Sequence, residues 1–205
     1  MKRALFVGRF QPFHYGHLDM VEHILNDKNI DELIIGIGSA QDSHTLNNPF
    51  TAGERYEMIY ESIKHLNQGV KYSNDMTMFN MITVHKKPIY IIPIPDNPSN
   101  TAWVSTIKSY VPRFDYVYTN EPLSCRLFKE AGYEVRGYMM LDRRYYAGTY
   151  IRGLIMNNGS VFNIPTGTWI VGHNWEKLVP EGTTKIIKEI DGINRLVELN
   201  KSDKL

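Results

Sequence analysis

The chain has 205 residues, with 23 Lys and Arg residues against 22 Asp and Glu residues, which gives a formal net charge of +1. This near balance argues against a protein whose main role is to bind nucleic acid or an anionic membrane. A hydrophobic content of 42% argues against wholesale disorder. The single cysteine, Cys125, excludes an intramolecular disulfide and a cysteine-rich metal site. The apolar run Ala4–Val7 is too short for a signal peptide and no run is long enough for a membrane span, so we expect a cytoplasmic protein.

Short apolar runs alternate with segments of helical periodicity along most of the chain. The predicted strands are Ala4–Val7, Leu33–Ile37, Ile89–Pro93, Tyr116–Tyr118 and Tyr133–Tyr138. The predicted helices are Leu18–Asn26, a helix from the Thr51/Glu54 capping box to Leu66, Trp103–Tyr110 and Leu123–Ala131. Five apolar strands separated by helices predict a doubly wound, Rossmann-like α/β fold, in which helices cover both faces of a parallel sheet.

Two segments depart from this alternation. Lys71–Lys87 is polar and rich in Met without a clear period, and Ser160–His173 has the composition of a small hairpin with a Pro-Thr-Gly turn. Thr184–Leu199 returns to a helical pattern, which is broken at Gly192. No internal repeat or linker is visible, so we expect one domain over residues 1–205, with a C-terminal helical part from about 149 that contains the insertion 160–173.

The loop after the first predicted strand carries the clearest functional pattern. Parallel sheets of this kind bind ligands at the carboxyl ends of their strands, so we expect the chemistry in the loops after the first three strands. The first of these loops begins with Gly8, which allows a ligand to approach the backbone closely, and Arg9, which offers a forked cation suited to phosphate.

Two histidines follow at the start of the next predicted helix. His14 and His17 are three residues apart, so both rings can face one side, and Gly16 leaves space between them. A helix N-terminus already favours anions, and the combination therefore predicts a polyphosphate site. A zinc site is the alternative, but no third ligand lies nearby at a usual spacing.

The segment His14-Tyr15-Gly16-His17 matches the HxGH signature of the nucleotidylyltransferase superfamily. The longer stretch GRFQPFHYGH resembles the archaeal-type nicotinamide-nucleotide adenylyltransferases. Class I aminoacyl-tRNA synthetases carry a related signature, but they are much longer and add a KMSKS-type loop that this chain lacks. Further stretches that resemble the same family are Ile37–Gln41, Asn48–Arg55, Ile92–Asp96, Phe114–Thr119, Leu127–Val135 and Trp175–Pro180.

A second motif of the superfamily, S-x-T-x-x-R, resembles the segment from Ala147 to Arg152. Thr149 is an N-cap or first-turn residue by its position, and Arg152 lies three residues further on the same helical face. The first position of the motif is Ala147, which has no hydroxyl, and one lost phosphate hydrogen bond costs on the order of 1 kcal/mol. Some relatives also carry a basic residue near Asn47, for which Arg143 and Arg144 are candidate substitutes.

The resemblance implies the transfer of the adenylyl group of ATP to the 5′-phosphate of nicotinamide mononucleotide (NMN), which gives NAD and pyrophosphate. It implies a direct in-line attack without a covalent intermediate, and Mg²⁺ held mainly by phosphates and water. It also implies a homo-oligomer, with a hexamer as the family's example, that binds neither nucleic acid nor a membrane. The implied catalytic residues are His14, His17 and Arg152. The implied ATP-binding residues are Gly8, Arg9, Phe10, Gln11, Gly16 and Thr149, and the implied NMN-binding residues are Asp96, Asn100 and Trp103.

Several alternatives stay open at this point. Trp103 is also explained as a core residue, Asp96 as a turn residue and Asn100 as a helix cap. The acceptor could be nicotinic acid mononucleotide, or FMN or phosphopantetheine in another HxGH enzyme. A non-catalytic NAD-binding sensor is the alternative from a different class of protein. From the length of the chain and the absence of an REx₂EE-type helix, we expect no fused Nudix hydrolase.

Overall fold

The computed structural model describes residues 1–67, 87–137, 144–163, 168–172 and 174–202. Its main sheet has five parallel strands in the order β3-β2-β1-β4-β5. The strands are β1 (Arg3–Gly8), β2 (Glu32–Ile37), β3 (Ile89–Pro93), β4 (Tyr116–Tyr118) and β5 (Glu134–Arg136). The order reverses at β1, so the gap between the carboxyl ends of β1 and β4 is the topological switch point.

Seven α-helices are described, and they lie on both faces of the sheet. They are α1 (Tyr15–Asn26), α2 (Ala52–Ile63), α3 (Asn100–Tyr110), α4 (Pro122–Glu130), α5 (Gly148–Met156), α6 (Glu181–Glu189) and α7 (Gly192–Ser202). Alternate residues of β1 enter two separate apolar clusters: Ala4 and Phe6 pack with residues of α1, α2, α5, α6 and α7, and Leu5 packs with residues of α3 and α4. The predicted doubly wound α/β fold is therefore confirmed.

The described helix boundaries differ from the predictions in ways that matter for the site. Helix α1 begins at Tyr15 rather than Leu18, which makes His14 its N-cap. Helix α2 ends at Ile63, and a short 3-10 helix (Lys64–Asn67) follows it. The break predicted at Gly192 is present: α6 ends at Glu189, Asp191 takes a positive φ of 54°, and Gly192 begins α7.

The predicted hairpin is present as the antiparallel strands β6 (Ser160–Asn163) and β7 (Thr168–Val171). Its turn, residues 164–167, and His173 lie outside the described residues, as do residues 68–86, which include most of the Lys71–Lys87 insertion. Of the part of the chain that is described, no helix is long and apolar enough to cross a bilayer.

Candidate active site

A cleft of about 220 Å³ opens at the switch point between β1 and β4. The end of β1, the start of α1, the loop after β4 and the start of α5 form its walls. The lining residues are Phe6, Val7, Gly8, His14, His17, Met20, Thr119, Asn120, Glu121, Tyr146, Ala147 and Gly148. The sequence prediction named the loops after the first three strands and omitted the loop after β4, because the strand order that makes β4 the neighbour of β1 is not visible in the sequence.

The two histidines of the first loop are stacked on each other in this cleft. Their ring centroids are 3.6 Å apart with an angle of 20° between the ring planes. The backbone N–H of His14 donates to Nδ1 of His17 over 3.3 Å, so the proton of the neutral His17 ring lies on Nε2. A Cβ added at Gly16 would lie 3.2 Å from the His14 ring and from Cβ of Tyr146, which explains why this position is glycine.

Both histidines are neutral near pH 7 when no anion is bound. Burial lowers the pKa of His14 to about 3. Burial, together with the neighbouring His14, also holds the pKa of His17 well below its usual value. His14 is only 3% exposed, and its Nδ1 has no hydrogen-bond partner among the described residues. Because a nearby anion favours the charged imidazole, a bound phosphate would raise both pKa values.

Two arginines supply positive charge beside the histidines. Arg152 is 6% exposed and donates from Nη1 to the carbonyl oxygen of Gln11 over 2.7 Å. Burial, and to a smaller extent Arg9, lowers the pKa of Arg152 to about 10, so it stays charged near pH 7. Neither Arg9 nor Arg152 forms an ion pair with any described carboxylate. Arg9 is exposed, whereas Arg152 is buried without a counterion; such a buried charge is costly and is typical of a site for an anionic ligand.

The start of α5 packs directly on the first loop. A Cβ at Gly148 would lie 2.7 Å from the carbonyl oxygen of Gln11, so only glycine permits this approach. The N-cap of α5 is Ala147, which makes no side-chain cap, and Thr149 is therefore an exposed first-turn residue rather than the cap. Because Ala147 has no hydroxyl, its side chain caps none of the first N–H groups of α5, which lie at the wall of the cleft.

The side chains of Phe10 and Gln11 are buried and contact other parts of the protein. The Phe10 ring packs edge-on against His17 at 4.8 Å, and it occupies the space that a Cβ at Gly8 would need. The amide of Gln11 exchanges two hydrogen bonds with the backbone of Phe50, at 2.9 and 3.0 Å. Because both side chains are buried in protein contacts, only their backbone remains available to a nucleotide.

The three residues predicted to bind NMN lie after β3 and on α3. Asp96 accepts hydrogen bonds from Oγ and the backbone N–H of Ser39, at 2.5 and 3.3 Å. Asn100 is the first residue of α3, whose N-cap is Ser99, so the interpretation of Asn100 as the cap is wrong. Trp103 is half-buried and packs edge-on against Phe128 at 5.3 Å, so it contributes to the core.

The remaining sequence candidates are Arg144, Arg143 and Asn47. Arg144 is exposed, with its guanidinium carbon 5.6 Å from the ring centroid of Tyr145, and Arg143 lies outside the described residues. Asn47 is exposed in the loop before α2.

Arg55 is a residue of this region that the sequence analysis missed. Its side chain is fully buried on α2 and donates to the backbone carbonyls of Thr51, Arg9, Gly38 and Ser39. Burial lowers the pKa of Arg55 to about 10, which still leaves it charged near pH 7. One signal was visible in the sequence: Arg55 shares a helical face with the apolar residues three and four positions later, where a charge is unusual.

The described residues contain no group of three or more His, Cys, Asp or Glu side chains that could hold a metal ion. The carboxylate of Glu121, which lines the cleft, already accepts the backbone N–H groups of Leu123 and Ser124 at the start of α4.

A doubly wound parallel sheet with histidines and unneutralised arginines at its switch point defines a nucleotide-binding α/β protein. The model of the cytidylyltransferase-like family matches residues 5–176. The nicotinamide-nucleotide adenylyltransferase of Archaeoglobus fulgidus is 45% identical over 201 residues, which cover 98% of this chain and 99% of that protein. The enzyme of the same name from Saccharolobus solfataricus is 43% identical over 204 residues and is covered completely. The chain therefore belongs to the cytidylyltransferase-like family, and within it to the family of these nicotinamide-nucleotide adenylyltransferases, which confirms the resemblance seen in the sequence.

Solved structures share the fold at lower identity. A bifunctional NMN adenylyltransferase/ADP ribose pyrophosphatase from Francisella tularensis superposes with a TM-score of 0.64 and 20% identity, over 98% of this chain and 54% of that one. Nicotinic acid mononucleotide adenylyltransferase from Plasmodium falciparum, complexed with NaAD, gives a TM-score of 0.57 and 14% identity over 95% of this chain and 98% of that one. These likenesses support the fold alone.

Proposed function

We propose that the chain transfers the adenylyl group of ATP to the 5′-phosphate of NMN, giving NAD and pyrophosphate. The observation that carries this proposal is the cleft in which stacked, neutral histidines share the wall with the uncapped start of α5, next to the buried Arg152, which forms no ion pair with a described carboxylate. Such a site suits a polyphosphate. The relatives, which are 41–45% identical over nearly the full chain, narrow the acceptor to a nicotinamide nucleotide.

The reaction needs charge stabilisation and positioning rather than a strong base. The 5′-phosphate of NMN is already ionised, and it attacks the α-phosphorus of ATP in line while pyrophosphate leaves. The protein holds two anions together and neutralises charge as it moves to the leaving group. We assign His17 and His14 to the phosphates nearest the α-phosphorus. Arg9, Arg152 and the N–H groups at the start of α5 then hold the β- and γ-phosphates.

We assign the binding of the acceptor, NMN, to residues that follow β3. We assign Asp96, Asn100 and Trp103 to NMN, with Asp96 as an acceptor for a ribose or amide hydrogen and the exposed part of Trp103 as a surface for the nicotinamide ring. Asp96 is already held by Ser39, which fixes the direction of its carboxylate.

Mg²⁺ fits this site as an ion that enters with the nucleotide. It prefers oxygen ligands and keeps several waters, so it would be held mainly by the phosphates and water and would neutralise part of the phosphate charge. The carboxylate of Glu121 already accepts hydrogen bonds at the start of α4. We therefore expect few Mg²⁺ ligands from the described side chains and most of them from phosphate oxygens and water. We further propose a cytoplasmic homo-oligomer, with a hexamer as the state to test by light scattering.

The direct test measures pyrophosphate release from ATP and Mg²⁺ with each acceptor supplied separately. The acceptors are NMN, nicotinic acid mononucleotide, FMN and phosphopantetheine. We expect release with NMN, accompanied by NAD, and little with FMN or phosphopantetheine. Comparable rates with nicotinic acid mononucleotide would widen the acceptor to both pyridine nucleotides. Silence with all four in folded protein would refute the proposal and favour an NAD-binding module.

A matched pair of variants tests the histidine assignment. His17→Ala should lower kcat far more than it weakens NMN binding, because the contact strengthens as charge develops on the phosphates. His23→Ala, on the exposed side of the same helix, should leave both quantities unchanged. Equal losses of kcat and NMN affinity in His17→Ala would contradict a role in the transition state.

A further inference from the structure

The guanidinium of Arg55 joins three segments of the chain at the carboxyl edge of the sheet. It donates to the carbonyl of Arg9 over 2.9 Å in the loop after β1. In the loop after β2 it donates to the carbonyls of Gly38 and Ser39, over 2.7 and 3.0 Å, and on its own helix it donates to Thr51 over 3.2 Å. No carboxylate of the described residues forms an ion pair with it, although the side chain is fully buried. Every hydrogen bond described for this buried cation therefore goes to a backbone carbonyl.

Both of these loops contain a residue in the left-handed region of backbone conformation. Phe10, which follows Arg9, has a φ of 52°, and Ser39, which follows Gly38, has a φ of 49°. Residues with a side chain rarely adopt this conformation, and they persist in it only where surrounding contacts impose it. The carbonyls that Arg55 holds belong to the residue before each strained position and to Ser39 itself. The guanidinium thus contacts the backbone just before Phe10 and on both sides of Ser39.

The same network reaches the residue that we assign to NMN. Ser39 donates from its hydroxyl and its backbone N–H to the carboxylate of Asp96. The backbone N–H of Asp96 in turn donates to Oε1 of Gln41 over 2.9 Å. One continuous chain of hydrogen bonds therefore runs from Arg9, on the ATP side, through Arg55 and Ser39 to Asp96, on the acceptor side.

We infer that Arg55 is a positioning residue that holds the loops after β1 and β2 in their strained form, and thereby sets Arg9 and Asp96 in place for the two substrates. This inference rests on the proposed function for the meaning of the two subsites. It also makes a distinct statement about the loops, which can be tested without turnover. Since Arg55 lies behind the loops, it acts through their backbone rather than by contact with a phosphate.

Arg195 provides a matched control on the same side of the molecule. It lies on α7 and makes two hydrogen bonds to Glu54, the neighbour of Arg55, at 2.8 and 2.9 Å, and one to the carbonyl of Pro49 at 3.2 Å. Its loss should destabilise the start of α2 and the end of the preceding loop at Pro49, but it removes no contact to Arg9, Gly38 or Ser39. Arg195→Met therefore reports what general destabilisation of this region does to the enzyme.

The experiment compares Arg55→Lys with Arg195→Met and the unchanged protein. Lysine keeps the charge but cannot span carbonyls in three segments, because its ammonium group lacks the planar fork of arginine. We expect Arg55→Lys to raise the KM of both ATP and NMN about tenfold or more, the order expected for losing one or two hydrogen bonds. Arg195→Met should leave both KM values unchanged, even if it lowers the free energy of unfolding as much as Arg55→Lys does. Equal KM changes in the two variants would overturn the inference.

Hydrogen exchange and pyrophosphate binding give readouts that do not need turnover. The amide of Gly38 donates to Gly8 and that of Ala40 donates to Ile94, so both amides report the order of the loop after β2. We expect both to exchange about tenfold faster in Arg55→Lys. The strand amides should be unchanged, and pyrophosphate should bind more weakly to this variant. Wild-type exchange at both amides would refute the inference, whereas absent turnover in the unchanged protein would refute only the proposed function.

A measurement on the unchanged protein makes the test independent of whether the variant folds. Four carbonyl contacts should restrict rotation of the guanidinium, so the N–H groups of Arg55 should give separate, slowly exchanging resonances in nitrogen-edited NMR spectra. These resonances should shift when pyrophosphate binds beside Arg9. A freely rotating, averaged guanidinium signal would also overturn the inference.

Discussion

The buried, neutral His14 should make the stability of the ligand-free protein depend on pH. Its pKa is about 3 in the folded protein and about 6.5 in an unfolded chain. Between these values the unfolded state binds one more proton, so the free energy of unfolding falls as the pH falls. At pH 5 the loss relative to pH 8 is about 2 kcal/mol from His14 alone, calculated from these two pKa values. The pKa of His17 is also lowered, so it adds a loss in the same direction.

The assay is urea denaturation of the unchanged protein and of His14→Asn at pH 5 and pH 8, in buffers without phosphate. Asparagine is a good N-cap and does not titrate, so the variant should fold and its pH dependence should be smaller by about 2 kcal/mol. His23→Asn, a change on the exposed face of α1, should keep the full dependence. Added pyrophosphate should reduce the dependence in the unchanged protein, because the anion favours the charged rings. Equal pH dependence in the unchanged protein and His14→Asn would refute the reasoning.

Three further predictions concern α5 and the start of α2. Gly148→Ala should raise the KM of ATP about tenfold, because the new Cβ would lie 2.7 Å from a carbonyl oxygen of the first loop; Gly153→Ala, with nothing within 4 Å, is the control and should not. Ala147→Ser should raise the free energy of unfolding by about 1 kcal/mol in urea titrations by supplying the missing N-cap, and no gain would contradict the uncapped start. Burial alone would raise the pKa of Glu54, but hydrogen bonds from Arg195 and the backbone outweigh it and hold that pKa below its usual value. Glu54→Gln should therefore lower the free energy of unfolding by about 2 kcal/mol at neutral pH and leave the KM values unchanged. The difference in stability between the variant and the unchanged protein should shrink as the pH falls and the carboxylate is protonated. A difference that stays constant with pH would be inconsistent with the ion pair.

The strands were predictable because each is a short apolar run bounded by turn residues, and their alternation with helices determines the class of fold. The order of the strands was not predictable, because it depends on pairing between segments far apart in sequence. Tyr118 on β4 pairs with Phe6 on β1, for example, and no local pattern reports it. The start of α1 was predicted three residues late because its first turn, Tyr15 to His17, lacks apolar periodicity and begins at a histidine cap.

The side chains of the cleft were predictable where they belong to a continuous motif. His14, His17 and Arg152 stand in such motifs, and the structure brings the two motifs together at the carbonyl of Gln11. Arg55 was missed because its partners are backbone carbonyls contributed by three segments, which leave no signature in residue type. The role assigned to Gln11 changed for a similar reason, since its amide is engaged by the backbone of Phe50.

The charge distribution of the cleft favours one arrangement of the two substrates. With both histidines neutral, the resting positive charge of the first loop and α5 comes from Arg9 and Arg152, and the histidines gain charge only near an anion. A triphosphate can interact with the two arginines and also with the histidines that it charges. The arginine side of the site should therefore bind a triphosphate more tightly than it binds a single phosphate group. The carboxylate of Asp96 on the acceptor side would repel a second polyphosphate, whereas it can accept a hydrogen from a ribose or carboxamide. The electrostatics thus support ATP on the arginine side and a mononucleotide on the side of Asp96, whose carboxylate Ser39 holds by hydrogen bonds.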